Sequence, residues 1–283
     1  IKRQQVVGGS ALYSSLALSL FAPVQLVGVI GDDFPQETLQ DLSRRGIDLA
    51  GVARLNGRTF AWEGVYGEDL WEVNTISTEL NVFEKFNPSL PDFYRSSSMV
   101  FLGNIDPDLQ NGVLQQLSGS AIVAADTMNH WLDLKLGAIK KLMPNLHVFF
   151  ANEKEAKKLS GQTKVLRAAQ EIAAMGPRLV VVKSGEHGAM AYDRDTGKSY
   201  WAPAYPVDHV IDPTGAGDTF AGGFLGNFSC ESNPFDSESI KRSLVMGNVL
   251  ASFTISSLGV GALQEVQRKL VLEKVRHYLG MFP

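Results

Sequence analysis

A chain of 283 residues is long enough for one large α/β domain or two ordinary ones, and 45% apolar residues give it a substantial core to bury. The net charge of −4 speaks against a dedicated nucleic-acid binder, and no apolar run approaches the roughly 20 residues that span a bilayer, so neither nucleic acid nor membrane is an expected partner. The single cysteine, Cys230, has no second thiol to pair with, and Ile-Lys-Arg-Gln-Gln opens no signal-peptide pattern; a reducing cytoplasm is the expected location.

In chain order, the apolar periodicity predicts a helix over 11–21, a strand over 24–30 and a helix over 35–45. A strand follows at 99–102, a helix at 107–117, a strand at 121–125, a helix at 131–143 and a strand at 147–151. Helices over 153–160 and 165–175 lead to strands at 179–183, 189–193 and 199–202. The last helices are expected at 216–228, 237–254 and 263–279. Alternating strands and helices predict a three-layer α/β/α domain with a mainly parallel central sheet. Residues 47–80 break the alternation. They hold short β-type runs separated by Asn56-Gly57 and Gly67-Glu68, and Asn-Gly between extended runs signals a hairpin. A small sheet projecting from the single domain is expected at about 47–80. Phe60, Trp62, Val65, Tyr66, Leu70 and Trp71 would give it an apolar face, which suits a homodimer through this sheet; lid packing or substrate stacking would use the aromatics equally well.

The most informative stretch is Asp212-Pro213-Thr214-Gly215-Ala216-Gly217-Asp218. A lead-in over 206–211 and a turn of small residues bring Asp218 to the start of a helix, where unpaired amides form an anion hole. Gly215, Ala216 and Gly217 let a phosphate approach the backbone. A carboxylate beside that hole is a poor phosphate ligand and a sensible base for an attacking hydroxyl; alone, the same string is also a glycine-rich turn with a capping Asp. Asn152 and Glu155 lie one helical turn apart after a strand, at the edge where parallel sheets bind ligands, and also fit an Asn cap with a solvated Glu. Asp126 follows another strand at that edge, in reach of a sugar or a metal-bound water, or as a turn cap.

The 212–223 string resembles the C-terminal signature of the PfkB carbohydrate kinase family, the ribokinase-like sugar and nucleoside kinases. Other segments are similar to family landmarks in the same order: Gly8-Gly9-Ser10-Ala11, Val27 to Phe34 (with Pro35 replacing a Gly), Asn152-Glu153-Lys154-Glu155 and Gly185-Glu186-His187-Gly188. The resemblance implies a ribokinase-like fold with a β lid over the acceptor, and ATP-dependent phosphorylation of a small sugar, with a nucleoside kinase or a non-catalytic sugar- or nucleotide-binding regulator as alternatives. It implies Asp218 as general base and the 215–218 backbone as anion hole. Gly8, Gly9, Ser10, Arg58 and Asp126 fall on the acceptor side. Asn152 and Glu155 fall near Mg2+ and the phosphates. Lys183, Ser184, Gly185 and Gly188 would flank ATP, with Asn248 and Gly259 closing the far side of adenine. Asp212 and Thr214 match positions that hold a monovalent cation such as K+ in some members; whether this chain binds one stays open.

Lys183 departs from the Thr or Ser common at its position, and would either reach phosphate or end a strand in solvent. Tyr13 and Ser14 stand where many members carry a substrate-gripping Asn. The family begins with a strand and an Asp upstream of the diglycine. Either such a segment is missing from this chain, the preferred reading, or the sheet lacks an edge. Gly197-Lys198-Ser199 imitates the end of a Walker A loop, but Tyr192 stands where its first Gly should be, so a hairpin turn is expected there.

Overall fold

The computed structural model describes residues 6–67 and 73–281. Helix α1 (Ser10–Leu18) leads into β1 (Val24–Ile30), α2 (Gln36–Arg44) and β2 (Ile47–Arg54). Strands β3 (Ala61–Tyr66) and β4 (Val73–Glu79) come next, then β5 (Met99–Leu102), α3 (Pro107–Leu114), β6 (Ile122–Ala125), α4 (Asn129–Leu134) and α5 (Leu136–Leu142). The chain continues through β7 (Val148–Asn152), α6 (Glu153–Ser160), α7 (Val165–Ala174), β8 (Leu179–Lys183), β9 (Ala189–Asp193) and β10 (Lys198–Ala202). It closes with α8 (Ala216–Cys230), α9 (Ser237–Thr254), α10 (Gly261–Glu265) and α11 (Arg268–Leu279).

The main sheet has the order β10-β9-β8-β7-β6-β5; β5 to β8 run parallel, and β9 and β10 complete it as antiparallel neighbours. Its central strands are apolar throughout because helices cover both faces. Val148, Phe150, Leu179 and Val181 point to one side, into a core with Phe220, Phe224, Phe228 and Leu244 of α8 and α9. The alternate residues Phe149, Ala151, Val180 and Val182 point to the other, against Ile139, Leu142, Ala169 and Ile172. This two-sided burial is the α/β/α layering expected from the alternation. Among the described residues no helix is long and apolar enough to cross a membrane.

Three expectations need correction. Ile47–Arg54 pairs parallel with Val24–Ile30 and takes no part in the antiparallel sheet, which is β3 with β4 alone. Asn56-Gly57 therefore joins two strands that do not pair. Its turn is held by Asp32 instead, whose amide donates to the Gly57 carbonyl (2.8 Å) and whose Oδ2 accepts from the Gly57 amide (3.0 Å). The helix foreseen at 131–143 is broken at Lys135, where the chain turns and the ammonium reaches Asp108 (2.5 Å) and Asp106 (3.5 Å). The helix foreseen at 263–279 breaks at Val266 and Gln267, both extended, because Val266 is drawn into the core.

The projecting sheet is anchored at its root. Asp33 accepts from both the amide and the hydroxyl of Thr59 (2.7 Å each), which hold its carboxyl below the usual range, and the Thr59 hydroxyl accepts from the Gly31 amide (2.9 Å). The Gly-Asp-Asp segment after β1 thus clamps the chain where it enters β3. Phe60, Val65, Val73 and Ile76 are exposed on this sheet, whereas Trp62 and Tyr66 are half-buried; Leu70 and Trp71 lie outside the described residues.

Candidate active site

The C-terminal ends of β5 to β8 and the N-termini of α1, α6 and α8 converge on one cluster of polar side chains. At its centre is the start of α8. Asp106, Asn152 and Asp236 cap α3, α6 and α9 with side-chain oxygens; α8, like the remaining α-helices, has no side-chain cap. Its leading residue, Gly215, has φ 78°, which a Cβ would strain, and that Cβ would also run into the ring of Tyr13. The positive end of a 15-residue helix is thus left without a side-chain cap, the geometry that receives an anion.

Asp218 stands in the first turn of this helix. Its Oδ1 accepts from the Ser10 hydroxyl at 2.5 Å, and the same hydroxyl oxygen accepts from the Asn104 amide (3.2 Å). Burial, and then the negative charge of Asp126, push its pKa up to about 6, against the pull of Ser10 and Lys183. Such a carboxylate is ionised at neutral pH and more basic than an exposed one.

Lys183 ends β8 with its side chain 14% exposed, so it is not a solvated strand end. Its Nζ lies 2.6 Å from Asp126 Oδ2, and a Cβ on Gly217 would sit 3.1 Å from it. Asp126 is buried, its Oδ1 taking the Thr127 amide (2.9 Å). Beside the pair, Asn152 and Glu155 form a reciprocal capping box: the Glu155 amide donates to Asn152 Oδ1 (2.9 Å), and the Asn152 amide to Glu155 Oε2 (2.7 Å). The Glu is not solvated, as a plain cap would leave it. Burial first, and then Asp126, raise its pKa to about 7.

Asp212 is buried, and its Oδ1 takes the Thr214 amide (3.0 Å). The Thr214 hydroxyl meets the Tyr66 hydroxyl of β3 at 2.9 Å, so the projecting sheet touches the loop that leads to Asp218. Tyr13, 2% exposed, lies between Gly8 and Gly215; burial, then Asp212 and Asp218, raise its pKa and keep the phenol protonated.

Ser10, Asp126, Asn152, Glu155, Lys183 and the 215–218 turn therefore share one site. Other residues singled out from sequence are engaged elsewhere. Arg58 is 62% exposed, facing Asp33 (3.9 Å) and Glu79 (3.6 Å) at the root of the projecting sheet. The Asn248 amide is spent on the carbonyls of Ala202 and Pro203 (2.9 and 2.8 Å), bracing that turn. Gly259 lies against Val6 and Val7. Ser184 and Gly188 close a tight turn, the Ser184 amide donating to the Gly188 carbonyl (2.8 Å), with Gly185 at φ 54° inside it. Gly9 precedes α1 at φ 111°. Sequence reasoning missed Asn104 and Trp131. Asn104 follows β5, and its Oδ1 accepts from the Trp131 indole (3.0 Å). The rule that flagged Asp126 and Asn152, a polar residue just past a parallel strand, would have found it.

The model of the "pfkB family carbohydrate kinase" matches residues 2–267, which takes in every element of this site. The chain belongs to the pfkB family. It is an ATP-dependent phosphotransferase, and kinases of this family act on sugars or nucleosides. A cytidine kinase of Thermococcus kodakarensis is 32% identical over 234 residues, covering 81% of this chain and 82% of that protein. An Escherichia coli protein assigned as ribokinase II, in complex with ATP and Mg2+, superposes with a TM-score of 0.80 at 18% identity, over 98% of this chain and 91% of that one. A Burkholderia thailandensis nucleoside kinase in complex with inosine gives 0.78 at 19% identity, over 98% and 89%. At these identities the two structures speak to the fold.

Proposed function

We propose that this pfkB kinase transfers the γ-phosphoryl group of ATP to a hydroxymethyl or similar alcohol of a small sugar, with Asp218 as the base. The observation that carries the reading is the Ser10 hydroxyl donating to Asp218 Oδ1 beside an uncapped helix start. That hydroxyl models what an acceptor alcohol must do: give its hydrogen to Asp218 within reach of an anion hole. In the reaction the acceptor oxygen bonds to the γ-phosphorus, its proton passes to Asp218, and the bridging bond breaks with its electron pair left on ADP. The amides of residues 215–218 hold the phosphoryl oxygens, and their fixed orientation lowers the barrier. Gly8, Gly9 and Ser10 face the acceptor.

The donor set fits a magnesium ion that keeps waters and phosphate oxygens as most of its ligands. Among the described residues no group of three acidic, His or Cys side chains is arranged to hold a metal, while Glu155 and Asp126 offer buried carboxylates beside the phosphate position. Mg2+ bound there would neutralise charge on the phosphates. Asp212 and Thr214 are the residues that would face a monovalent cation. Ser184, Gly185, Gly188, Asn248 and Gly259 border the adenine, the turn after β8 on one side and the braced 202–203 turn on the other. A second acceptor class, nucleosides, is favoured by the 32% identity to a cytidine kinase.

ADP release measured across a panel of sugars and nucleosides tests the reading, with Asp218→Asn as control. Turnover of an acceptor by the wild type, and its loss with ATP affinity kept in the variant, is expected. Turnover within a few-fold of wild type in the variant would remove Asp218 as the base. The exposed Phe60, Val65, Val73 and Ile76 further support a homodimer through the lid; a monomeric mass by light scattering at micromolar concentration would remove it.

A further inference from the structure

The ammonium of Lys183 sits among carboxylates beside the start of α8: burial works against its charge, but Asp126, Glu155 and Asp218 outweigh burial and raise its pKa above the usual lysine value. Its Nζ faces Gly217 in the first turn of α8, 3.1 Å from where a Cβ on that residue would stand, at a helix end that by itself disfavours a cation. Burial adds to the cost, since its side chain is 14% exposed. Asp126 bonds it directly at 2.6 Å, and the charges of Glu155 and Asp218 add to that hold. A side chain at residue 217 would crowd Nζ, so the glycine there leaves room for it beside the helix start.

An ammonium beside a helix start that no side chain caps offers an anion two favourable sides, the amides and Nζ. From this juxtaposition we propose that Lys183 is a catalytic residue that holds the phosphoryl group during transfer, with Asp126 as the residue that positions it. The proposal rests on the kinase reading above. Equatorial oxygens of the moving phosphoryl group face the amides of Gly217 and Asp218 on one side and Nζ on the other, while the acceptor oxygen bonds to phosphorus and the bond to the ADP oxygen breaks. Lys183 keeps its proton throughout; the only proton that moves goes from acceptor to Asp218. Asp126 holds Nζ at the height of Gly217 and stops it from swinging onto Asp218, where it would pair with the base and weaken it. Lys183 thereby serves the reacting phosphate rather than the adenine flank.

The experiment compares Mg2+–ADP binding with and without aluminium fluoride, a mimic of the phosphoryl group in flight, by titration calorimetry on the full chain. Wild type is expected to bind ADP at least about tenfold more tightly with aluminium fluoride. Lys183→Met should bind ADP alone within about threefold of wild type, lose the tightening, and show kcat lower by about 10²–10³-fold, the usual cost of removing an oxyanion partner. The double variant Asp126→Asn, Lys183→Met removes both charges together and so guards against unfolding by an orphaned carboxylate; it should lose the tightening equally. Asp126→Asn alone should keep most of it. Aluminium fluoride tightening at the wild-type level in Lys183→Met or the double variant would reduce Lys183 to a structural ion pair and overturn the proposal while leaving the kinase reading intact. Failure of the wild type to bind Mg2+–ADP would overturn both.

Discussion

Replacing Asp218 by Asn should make the protein more stable and inactive at the same time. Asp218 has its pKa raised from 3.8 to about 6, chiefly by burial and then by Asp126. The folded state therefore binds a proton more tightly than the unfolded state. The stabilisation from that proton is complete below pH 3.8, fades as pH rises through 6, and above 6 the ionised carboxylate burdens the fold. A shift of about 2 units at about 1.4 kcal/mol each sets that burden near 3 kcal/mol. Asn carries no charge and can still accept the Ser10 hydrogen bond, so the variant escapes most of it. That shift is already net of the pull of Lys183 and Ser10, so the expected gain at pH 8 is about 3 kcal/mol, or roughly 6–12 °C in Tm. At pH 4 the two proteins should melt within about 1 °C of each other, since wild-type Asp218 is then protonated as well. Turnover at pH 8 should fall by about 10²–10⁴, the usual loss on removing a general base. Melting curves from pH 4 to pH 8, with ADP release at pH 8, make the test. An Asn variant that melts at or below wild type at pH 8, or a Tm difference that ignores pH, would refute the reasoning.

Three further outcomes follow from the site. Ser10→Ala removes a hydrogen bond that favours ionised Asp218, worth about 1.5–3 kcal/mol, so the acid limb of kcat/KM should move from near pH 6 up by about 1–2 units; a limb that stays in place would separate Ser10 from the base. Glu155→Gln keeps the capping box, since Gln also serves there, so Tm should hold or rise while the Mg2+ concentration for half-maximal activity increases. Unchanged Mg2+ dependence with wild-type turnover would leave Glu155 a cap. Tyr66→Phe loses the hydroxyl contact with Thr214, worth about 0.5–1.5 kcal/mol; KM for the acceptor should rise about two- to tenfold with Tm within about 1 °C, and an unchanged KM would detach the lid contact from substrate capture.

Much of this molecule can be read from its chain because much of it depends on local rules. The run from Val148 to Asn152 is apolar at every position but its last, and a strand buried on both faces must be. Gly215 to Asp218 carry their meaning in their smallness and order, since a tight turn into a helix needs those residue types wherever it occurs. Asn152 and Glu155 lie three apart on one turn, so their shared face follows from helical period alone, and the capping box confirms their pairing. Other features exist only once distant segments meet. Asn56-Gly57 has the local signature of a hairpin, yet Asp32 claims its turn and β2 pairs with β1, because pairing partners are chosen by what the whole sheet can bury. Lys183 reads from sequence as a strand end of either fate. Its link to Asp126, 57 residues away, and its seat under Gly217 arise from the stacking of β6, β8 and α8. The basicity of Asp218 is decided in the same way. Its residue type supplies a carboxylate, and burial beside Asp126, with Ser10 brought from 208 residues away, sets the pKa at which it accepts a proton. Helical period and turn chemistry act between neighbours and are written in the order of residues; desolvation and charge coupling act through space, and only the folded chain brings those groups together.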